Sequence, residues 1–256
     1  MSAAPPTGPW SRWNIAVGNF FFKYRNALFP VLFALAALIG RPQVILGNPA
    51  LDRVLGVCGA LVALTGQLVR LVTIGYEYIE RGGKEGKVYA SRLVQGGVYA
   101  LTRNPMYLGN GLIAIGMAMV AGAPLIYLFV LPLFLYIYHT IIAAEEAYLR
   151  RQFGAEYERY RKRVNRLLPS LGRAGEVLGQ LAYNWRQAVR KDLSTMAALF
   201  LALVLLPAWR RLQLEGWENI QDDALEIGVA ALVVLGLYGI AATLKRQRKV
   251  FYVRGE

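Results

Sequence analysis

Residues 97–111 read GVYALTRNPMYLGNG, and the change from polar to apolar character within this stretch decides the fold. Pro105 lacks an N–H group and is well tolerated in the first turn of a helix, so we predict that a membrane span begins there. Arg103 and Asn104 would then lie at the membrane surface beside the free N–H groups of that first turn. A helix terminus of this kind favours an anionic group such as a carboxylate.

A second interpretation of the same stretch requires no ligand. An arginine often marks the cytoplasmic end of a membrane span, and glycines often serve the packing of helices. Gly109 and Gly111 would permit the close approach of either a ligand or a neighbouring helix. Spacing alone leaves both interpretations open.

Hydropathy and segment length predict six membrane spans. The chain is 56% hydrophobic and 18% charged, below the roughly one quarter of charged residues that is usual in soluble domains. Its apolar residues come in blocks. The predicted spans are 27–46, 51–75, 106–122, 124–143, 193–209 and 224–244. The predicted fold class is therefore an all-α, polytopic transmembrane helical protein.

The lysines and arginines are distributed unevenly among the segments between the spans. Twenty-four lie in the N-terminal arm, the 76–105 loop, residues 144–192 and the tail from Lys245. Four lie in the three connections that join spans one and two, three and four, and five and six on the other side of the membrane. Basic loops remain on the cytoplasmic side, so we expect both termini to be cytoplasmic, in a membrane of the bacterial inner-membrane type. The net charge of +13 follows this topology and forms no single groove, so we expect no nucleic-acid partner.

An interfacial helix is expected before the first span, because aromatic and basic residues are interleaved there in the way that is typical of the headgroup region. These residues are Trp10, Arg12, Trp13, Phe20, Phe21, Phe22, Lys23 and Arg25. A second interfacial element, a basic amphipathic helix, is expected over residues 149–169. The Phe153-Gly154 pair should interrupt it. Tyr157, Tyr160, Arg161 and Val164 recur at helical spacing, and Arg163 and Arg166 add further positive charge.

Cysteine and histidine are too few for a metal site. Cys58 is the single cysteine and His139 the single histidine, so the sequence predicts neither a disulfide framework nor a metal centre. His139 lies about one and a half turns before Glu145. A packed or interfacial histidine is the usual interpretation at such a position, and a catalytic base is the alternative.

Glu145 and Glu146 are the second polar feature at a membrane boundary. About 35 residues separate Gly109 from Glu145, which suffices for two crossings and a turn at residues 122–124. The hairpin would therefore bring the two glutamates back to the boundary where Arg103 lies. Adjacent side chains point about 100° apart on a helix, so at most one glutamate should face Arg103. The alternative is a solvated helix face just outside the membrane.

Together these elements resemble the integral-membrane methyltransferases typified by isoprenylcysteine carboxyl methyltransferases and phospholipid N-methyltransferases. The resemblance covers roughly residues 87–170. It follows the order Gly97-x-Tyr99-x-x-x-Arg103-Asn104-Pro105-x-Tyr107-x-Gly109, a membrane hairpin, Glu145-Glu146-x-x-Leu149, Phe153-Gly154-x-x-Tyr157-x-x-Tyr160-x-x-x-Val164 and Leu168-Pro169. The Gly109-x-Gly111 and Glu-Glu pairs resemble the phospholipid N-methyltransferase pattern, whereas isoprenylcysteine enzymes more often have His where Asn104 stands.

The resemblance implies an S-adenosylmethionine site at the cytoplasmic end of the hairpin, without a Rossmann domain, and a lipid or lipophilic substrate that comes from the bilayer. It assigns to the cofactor Gly97, Tyr99, Arg103, Asn104, Pro105, Tyr107, Gly109, Gly111, Glu145 and Glu146. The candidate catalytic residues are Glu145, Glu146, Arg163 and His139. Arg163 or Arg166 could hold an anionic acceptor, and Glu146 or His139 could take a proton from an amine.

The expected organisation has three parts. Residues 1–86 carry the interfacial helix and two spans, residues 87–170 form the methyltransferase core, and residues 171–256 form a linker and two C-terminal spans without an assigned catalytic role. The sequence specifies neither the acceptor, nor N- versus O-methylation, nor the oligomeric state.

Two other classes of function share single features with this sequence. An NADPH-dependent membrane reductase of the sterol-reductase type shares a related Arg-x-Pro-x-Tyr-x-Gly signature, but the Glu-Glu pair and the segment after it favour the methyltransferase. A transporter or scaffold would place polar residues opposite each other at the bilayer midplane. In this sequence they gather at one boundary instead.

Overall fold

The computed structural model describes residues 9–77, 87–179 and 181–246, with side chains from residue 12 onwards. These residues form seven α-helices: α1 (Pro9–Ile39), α2 (Pro49–Tyr76), α3 (Pro105–Ala121), α4 (Leu131–Arg163), α5 (Ala174–Leu178), α6 (Trp185–Glu215) and α7 (Ala224–Arg246). Five helices are long and apolar enough to cross a membrane, and α3 is a shorter apolar helix. The prediction of an all-α, polytopic helical protein is confirmed.

Capping residues determine where the central helices begin and end. The side-chain oxygen of Asn48 accepts hydrogen bonds from the backbone N–H groups of Ala50 and Leu51, at the start of α2. α3 begins at Pro105, as predicted. It ends at Gly122, whose φ of 60° lies in the left-handed region that favours glycine.

The first span ends earlier than predicted. The interfacial segment and the span form one continuous helix, α1, which ends at Ile39 and not at residue 46. Pro42 disfavours the helical conformation of the residue before it, and Gly40 weakens the helix further. Residues 40–44 are an irregular connection, so the predicted boundary was wrong. The side chain of Trp10 lies outside the described residues.

α4 joins the fourth span and the amphipathic segment in one long element. A turn of π-helix at Ile126–Val130 leads directly into it. Gly154 interrupts the helix with φ 49° and ψ −120°, which agrees with the break predicted at Phe153-Gly154. Because side chains disfavour positive φ, a glycine suits this bend.

α2 and α3 pack through small residues. Gly59, Ala63 and Gly66 on α2 face Gly109 and Gly116 on α3. A Cβ atom at Gly116 would lie 2.3 Å from the carbonyl oxygen of Gly59, and one at Gly66 would lie 2.5 Å from the carbonyl oxygen of Gly109. The two backbones therefore approach closely, which is how helices in lipid obtain extensive van der Waals contact.

Two buried ion pairs join α2 to α6. Arg70 of α2 pairs with Asp192 of α6, and Asp52 of α2 pairs with Arg210 of α6. The four side chains are at most 11% exposed. Eighteen residues separate the two positions on each helix. Because this is about five full turns, or roughly 27 Å, both pairs lie on one face of the helix near opposite boundaries of a bilayer core.

The remaining helices are arranged around this central set. α1 packs against α4, α6 contacts both α2 and α3, and α7 packs on α6. The apolar stretch of α7 buries no side chain within the protein, so its surface is left for lipid. The helices after residue 170 thus belong to the same bundle as the predicted core.

We expect Gly116→Ala to destabilise the α2–α3 contact, because its Cβ atom would overlap the backbone of α2. Overpacking of this kind costs about 1–3 kcal/mol, so the thermal unfolding midpoint in detergent should fall by several degrees. Gly236→Ala on α7 is the control, since nothing lies within 4 Å of its Cβ position. Equal unfolding midpoints for the two variants would contradict the close approach of α2 and α3.

Candidate functional site

The loop before α3 is held against the segment that follows α4. The backbone N–H of Arg103 donates to the carbonyl oxygen of Asn165 at 2.9 Å, and that of Ser170 donates to the carbonyl oxygen of Leu101 at 3.0 Å. Residues 97–104 and 164–170 therefore form one layer over the N-terminus of α3. We call these two stretches the cover.

Two polar side chains reinforce the cover. The Nδ2 atom of Asn104 donates to the carbonyl oxygen of Arg166 at 3.0 Å, and the hydroxyl of Tyr160 donates to the carbonyl oxygen of Tyr99 at 2.7 Å. The side chain of Asn104 makes no capping hydrogen bond to α3. Its role in the structure is thus to bind the two stretches of the cover to each other.

Glu146 forms ion pairs with two arginines of the cover. Its Oε1 atom lies 3.1 Å from Nη2 of Arg103, and its Oε2 atom lies 3.2 Å from Nε of Arg166. The side chains of Arg103 and Glu146 are only 10% and 21% exposed. This geometry agrees with the prediction that one glutamate of the pair faces Arg103, and that residue is Glu146.

Glu145 contacts a different group of polar side chains. The hydroxyl of Tyr107 donates to its Oε1 atom at 2.6 Å. The ring of Tyr107 packs edge-to-face on that of Tyr138, with 5.1 Å between the centroids. The hydroxyl of Tyr138 accepts a hydrogen bond from Nδ2 of Asn110 at 3.0 Å. These contacts link α3 and α4 beneath the cover.

A cavity of about 850 Å³ lies next to these side chains, and we call it the polar cavity. Its volume falls within the range of small-molecule sites. Among the described residues its charged lining consists of Arg25, Arg70, Arg92, Arg103, Lys191, Lys245 and Glu145. Positive charge therefore predominates, and a single carboxylate faces it.

A second cavity, of about 540 Å³, adjoins the first. Its walls are almost entirely apolar side chains of α1, α3, α4 and α6, so we call it the apolar cavity. Phe29, Asn110 and Tyr138 line both cavities. The hydrogen bond between Asn110 and Tyr138 thus lies at the junction of a charged compartment with an apolar one.

Six of the predicted site residues line the polar cavity, and Glu146 is held behind one of them by its contact with Arg103. The six are Tyr99, Arg103, Asn104, Pro105, Tyr107 and Glu145. The structure thus brings together residues from both ends of the hairpin, as the sequence predicted.

Three predicted glycines lie off the cavity lining. A Cβ atom at Gly109 would lie 2.6 Å from Cγ of Arg70, so this glycine serves the packing of α2 against α3. A Cβ atom at Gly111 would contact only Leu135, at 3.8 Å. Gly97 begins a 3₁₀ turn with a φ of 54°, which lies in the left-handed region that favours glycine.

His139 and Arg163 also lie away from the cavity. Both side chains are exposed. The Nδ1 atom of His139 is 3.4 Å from Nη1 of Arg166, and Nη2 of Arg163 donates to the side-chain oxygen of Gln95 at 3.1 Å. The structure does not bring either residue to the polar cavity, where the predicted acid–base or acceptor-binding roles would place it.

Several residues that the structure places at or beside the cavities were not among the predicted site residues: Arg25, which was expected only in the interfacial helix, and Arg70, Asn110, Tyr138 and Asp192. One signal was available for Arg70, because an ionisable residue within an apolar run is usually paired and functional. Asp192 directly precedes the predicted span 193–209 and was therefore counted with the loop before it.

Comparison with known proteins supports the expected resemblance. Residues 54–156 match the phospholipid methyltransferase family. The chain is 40% identical over 80 residues to a protein-S-isoprenylcysteine O-methyltransferase of Schizosaccharomyces pombe, a match that covers 30% of this chain and 33% of that protein. It is 34% identical over 121 residues to the corresponding protein of Saccharomyces cerevisiae, covering 44% of this chain and 48% of that one.

The chain thus spans between a third and a half of the length of the curated relatives that it matches. No solved structure matches it. The resemblance to the integral-membrane methyltransferase superfamily is confirmed. The same findings give no support to the reductase alternative.

Glu146→Gln should destabilise the cover, because Arg103 and Arg166 would lose the negative charge between them. Removing one partner of a fully buried ion pair costs about 3–5 kcal/mol, whereas an exposed pair contributes less than about 1 kcal/mol. Because these side chains are partly buried, the free energy of unfolding should fall by roughly 1–3 kcal/mol in a thermal or denaturant titration. Glu158→Gln is a matched control, since Glu158 also bridges two arginines, Arg150 and Arg161, but at a more exposed position. Exposed pairs contribute less than about 1 kcal/mol. If Glu146→Gln and Glu158→Gln lost equal free energy of unfolding, the conclusion that the partly buried ion pairs of Glu146 stabilise the cover more than exposed pairs do would be contradicted.

Proposed function

We propose that the chain is an S-adenosylmethionine-dependent methyltransferase that acts on a lipid or lipophilic acceptor at the membrane boundary. The observation that carries this proposal is the junction of a charged cavity, lined by Arg103 and Glu145, with an apolar cavity between membrane helices. The first suits a polar cofactor and the second suits the tail of a lipophilic substrate. The similarity to membrane methyltransferases supports the same reaction.

The polar cavity fits the amino acid part of the cofactor. The Nε atom of Arg103 is buried and has no hydrogen-bond partner among the described residues, so it is available to a carboxylate. Glu145 supplies a carboxylate for an ammonium group. Tyr99 and Tyr160 line the same cavity, and we expect a flat base to pack against them. Glu146, behind Arg103, would hold that guanidinium in place.

Methyl transfer depends chiefly on alignment. When bound, S-adenosylmethionine would supply an electrophilic methyl group on a sulfonium, and transfer of that methyl group to the acceptor would release a neutral thioether. Holding the reacting atoms about 3–3.5 Å apart, in line, can supply several kcal/mol of the barrier. In this chain the fixed cover and the α3–α4 hairpin would provide that alignment, because hydrogen bonds and ion pairs lock them together.

The apolar cavity supports an amphiphilic acceptor. α1 contributes Phe33 to its wall, and α6 contributes Leu199 and Leu206. A tail in this cavity would place its head group at Asn110 and Tyr138, next to the polar cavity. Because the walls are helices that cross the membrane, we expect the acceptor to enter from the bilayer.

The charge of the polar cavity favours an anionic head group, either a carboxylate or a phosphate. If the carboxylate itself accepts the methyl group, no proton has to be removed. If an amine accepts it, Glu145 is the carboxylate on the described lining that could take the proton. This assigns to Glu145 the role that the sequence suggested for Glu146 or His139.

The orientation in the membrane follows from the basic loops. We place both termini and the polar cavity on the cytoplasmic side, since the cover belongs to segments that carry much of the excess of lysine and arginine. A soluble cofactor would then reach the cavity from the cytoplasm, while the acceptor reaches it through the membrane.

Arg103→Ala should weaken the binding of S-adenosylhomocysteine, measured by calorimetry on the full chain in mild detergent, by about 10-fold to 100-fold. The loss corresponds to a hydrogen bond between two charged groups. Arg159→Ala is the matched control, because Arg159 is an exposed arginine of α4 away from the cavity lining, and it should bind normally.

NADPH, titrated into the same samples, should not bind. Unchanged cofactor affinity in Arg103→Ala would remove that residue from the site. Saturable binding of NADPH in place of S-adenosylhomocysteine would contradict the methyltransferase proposal and favour the reductase.

A further inference from the structure

Asp192 lies on α6, beyond the stretch that matches the methyltransferase family, yet it holds a residue of the polar cavity. Nε of Arg70 donates to its Oδ2 atom at 3.0 Å, Nη2 of Arg70 donates to its Oδ1 atom, and Nε2 of Gln67 donates to Oδ2 at 2.8 Å. Asp192 is 1% exposed. This two-point contact fixes the plane of the Arg70 guanidinium.

The fixed guanidinium determines how Asn110 is oriented. Nη1 of Arg70 donates to the side-chain oxygen Oδ1 of Asn110. An arginine has donors only, so the carbonyl of the Asn110 amide must face Arg70 and its NH₂ group must face away. That NH₂ group donates to the hydroxyl oxygen of Tyr138.

Tyr138 is therefore left with a defined hydrogen-bonding direction. A phenol has a single O–H donor. Because the oxygen of Tyr138 accepts the hydrogen bond from Asn110, its own hydrogen must point to a different atom. Tyr138 lines both cavities, so the place where it can donate is the junction at which the head of an amphiphile would lie.

We propose that Asp192, acting through Arg70 and Asn110, is a positioning residue that makes Tyr138 a hydrogen-bond donor to an anionic oxygen of the methyl acceptor's head group. This inference rests on the proposed function and extends it. It assigns to the acceptor site a preference for an anionic head group, and it assigns to Tyr138 the recognition of that group. It also gives α6 a part in substrate recognition.

A second ion pair separates this role from simple helix packing. Asp52 and Arg210 form the same kind of buried link between α2 and α6, about five turns away and off the lining of both cavities. If Asp192 served only to join α2 to α6, replacing either aspartate by asparagine would have the same consequences for ligand binding.

The test uses the full chain in mixed micelles saturated with S-adenosylhomocysteine. The probes are N-acetyl-S-farnesylcysteine, which carries a carboxylate, and the matched compound in which a primary alcohol replaces that carboxylate. Titration calorimetry should show that the wild type binds the carboxylate about tenfold more tightly than the alcohol, as expected for a hydrogen bond to a charged group.

Asp192→Asn and Tyr138→Phe should each remove most of this preference. The double variant should be no weaker than Tyr138→Phe alone, because both changes abolish one contact. Tyr138→Phe keeps the shape of the side chain, so it tests the donor even if Asp192→Asn folds poorly. Asp52→Asn is the control, and it should keep the preference even if the protein becomes less stable.

Three results would overturn the inference: equal affinity of the wild type for the two probes, additive losses in the double variant, or the same loss of preference in Asp52→Asn. These are distinct from failure of the proposed function. That failure would appear in the wild type as absent binding of S-adenosylhomocysteine, before either probe is added.

Discussion

A charged side chain inside a membrane bundle is tolerated only when it has a partner, and this constraint fixes how α6 packs on α2. α2 and α6 meet it with two arginine–aspartate pairs of opposite polarity: Arg70 with Asp192, and Asp52 with Arg210. Sliding one helix along the other by a single turn would separate both pairs and leave four buried charges unpaired, at several kcal/mol each. The register of α6 on α2 is therefore fixed at both ends.

The same face of α2 also packs against α3, through a different interaction. Gly59 and Gly66 lie against Gly116 and Gly109 of α3, where any larger side chain would meet backbone atoms. The two constraints meet at Arg70, whose aliphatic stem passes over Gly109 and whose guanidinium reaches both Asp192 and Asn110. Gly109, which the sequence alone left open to a ligand or a helix, therefore makes room for the side chain of Arg70. The guanidinium of Arg70 contacts Asn110, and the polar and apolar cavities meet at that residue.

The sequence predicted features that depend on local chemistry and chain length. Pro105 marked the start of α3, Gly154 marked the bend in α4, and the hairpin length placed the glutamates near Arg103. Pro42 and Gly40 indicate the observed end of α1 at Ile39, whereas hydropathy alone placed the end of the span at residue 46. Pairings between distant helices were not predictable: Arg70 and Asp192 lie 122 positions apart, and a single sequence contains no information on the register of non-consecutive helices. For the same reason the choice of Glu146 over Glu145 as the partner of Arg103 required the structure.

If the cover and the α3–α4 hairpin enclose a cofactor, a bound ligand should slow hydrogen–deuterium exchange in both stretches of the cover. We would compare the full chain in detergent with and without S-adenosylhomocysteine. We expect slower exchange in residues 97–104 and 164–170, and no change in residues 216–223, which join α6 to α7 at the opposite end of the bundle. Unchanged exchange in both stretches of the cover, at a ligand concentration that saturates the protein by calorimetry, would show that the cofactor binds elsewhere and contradict the account.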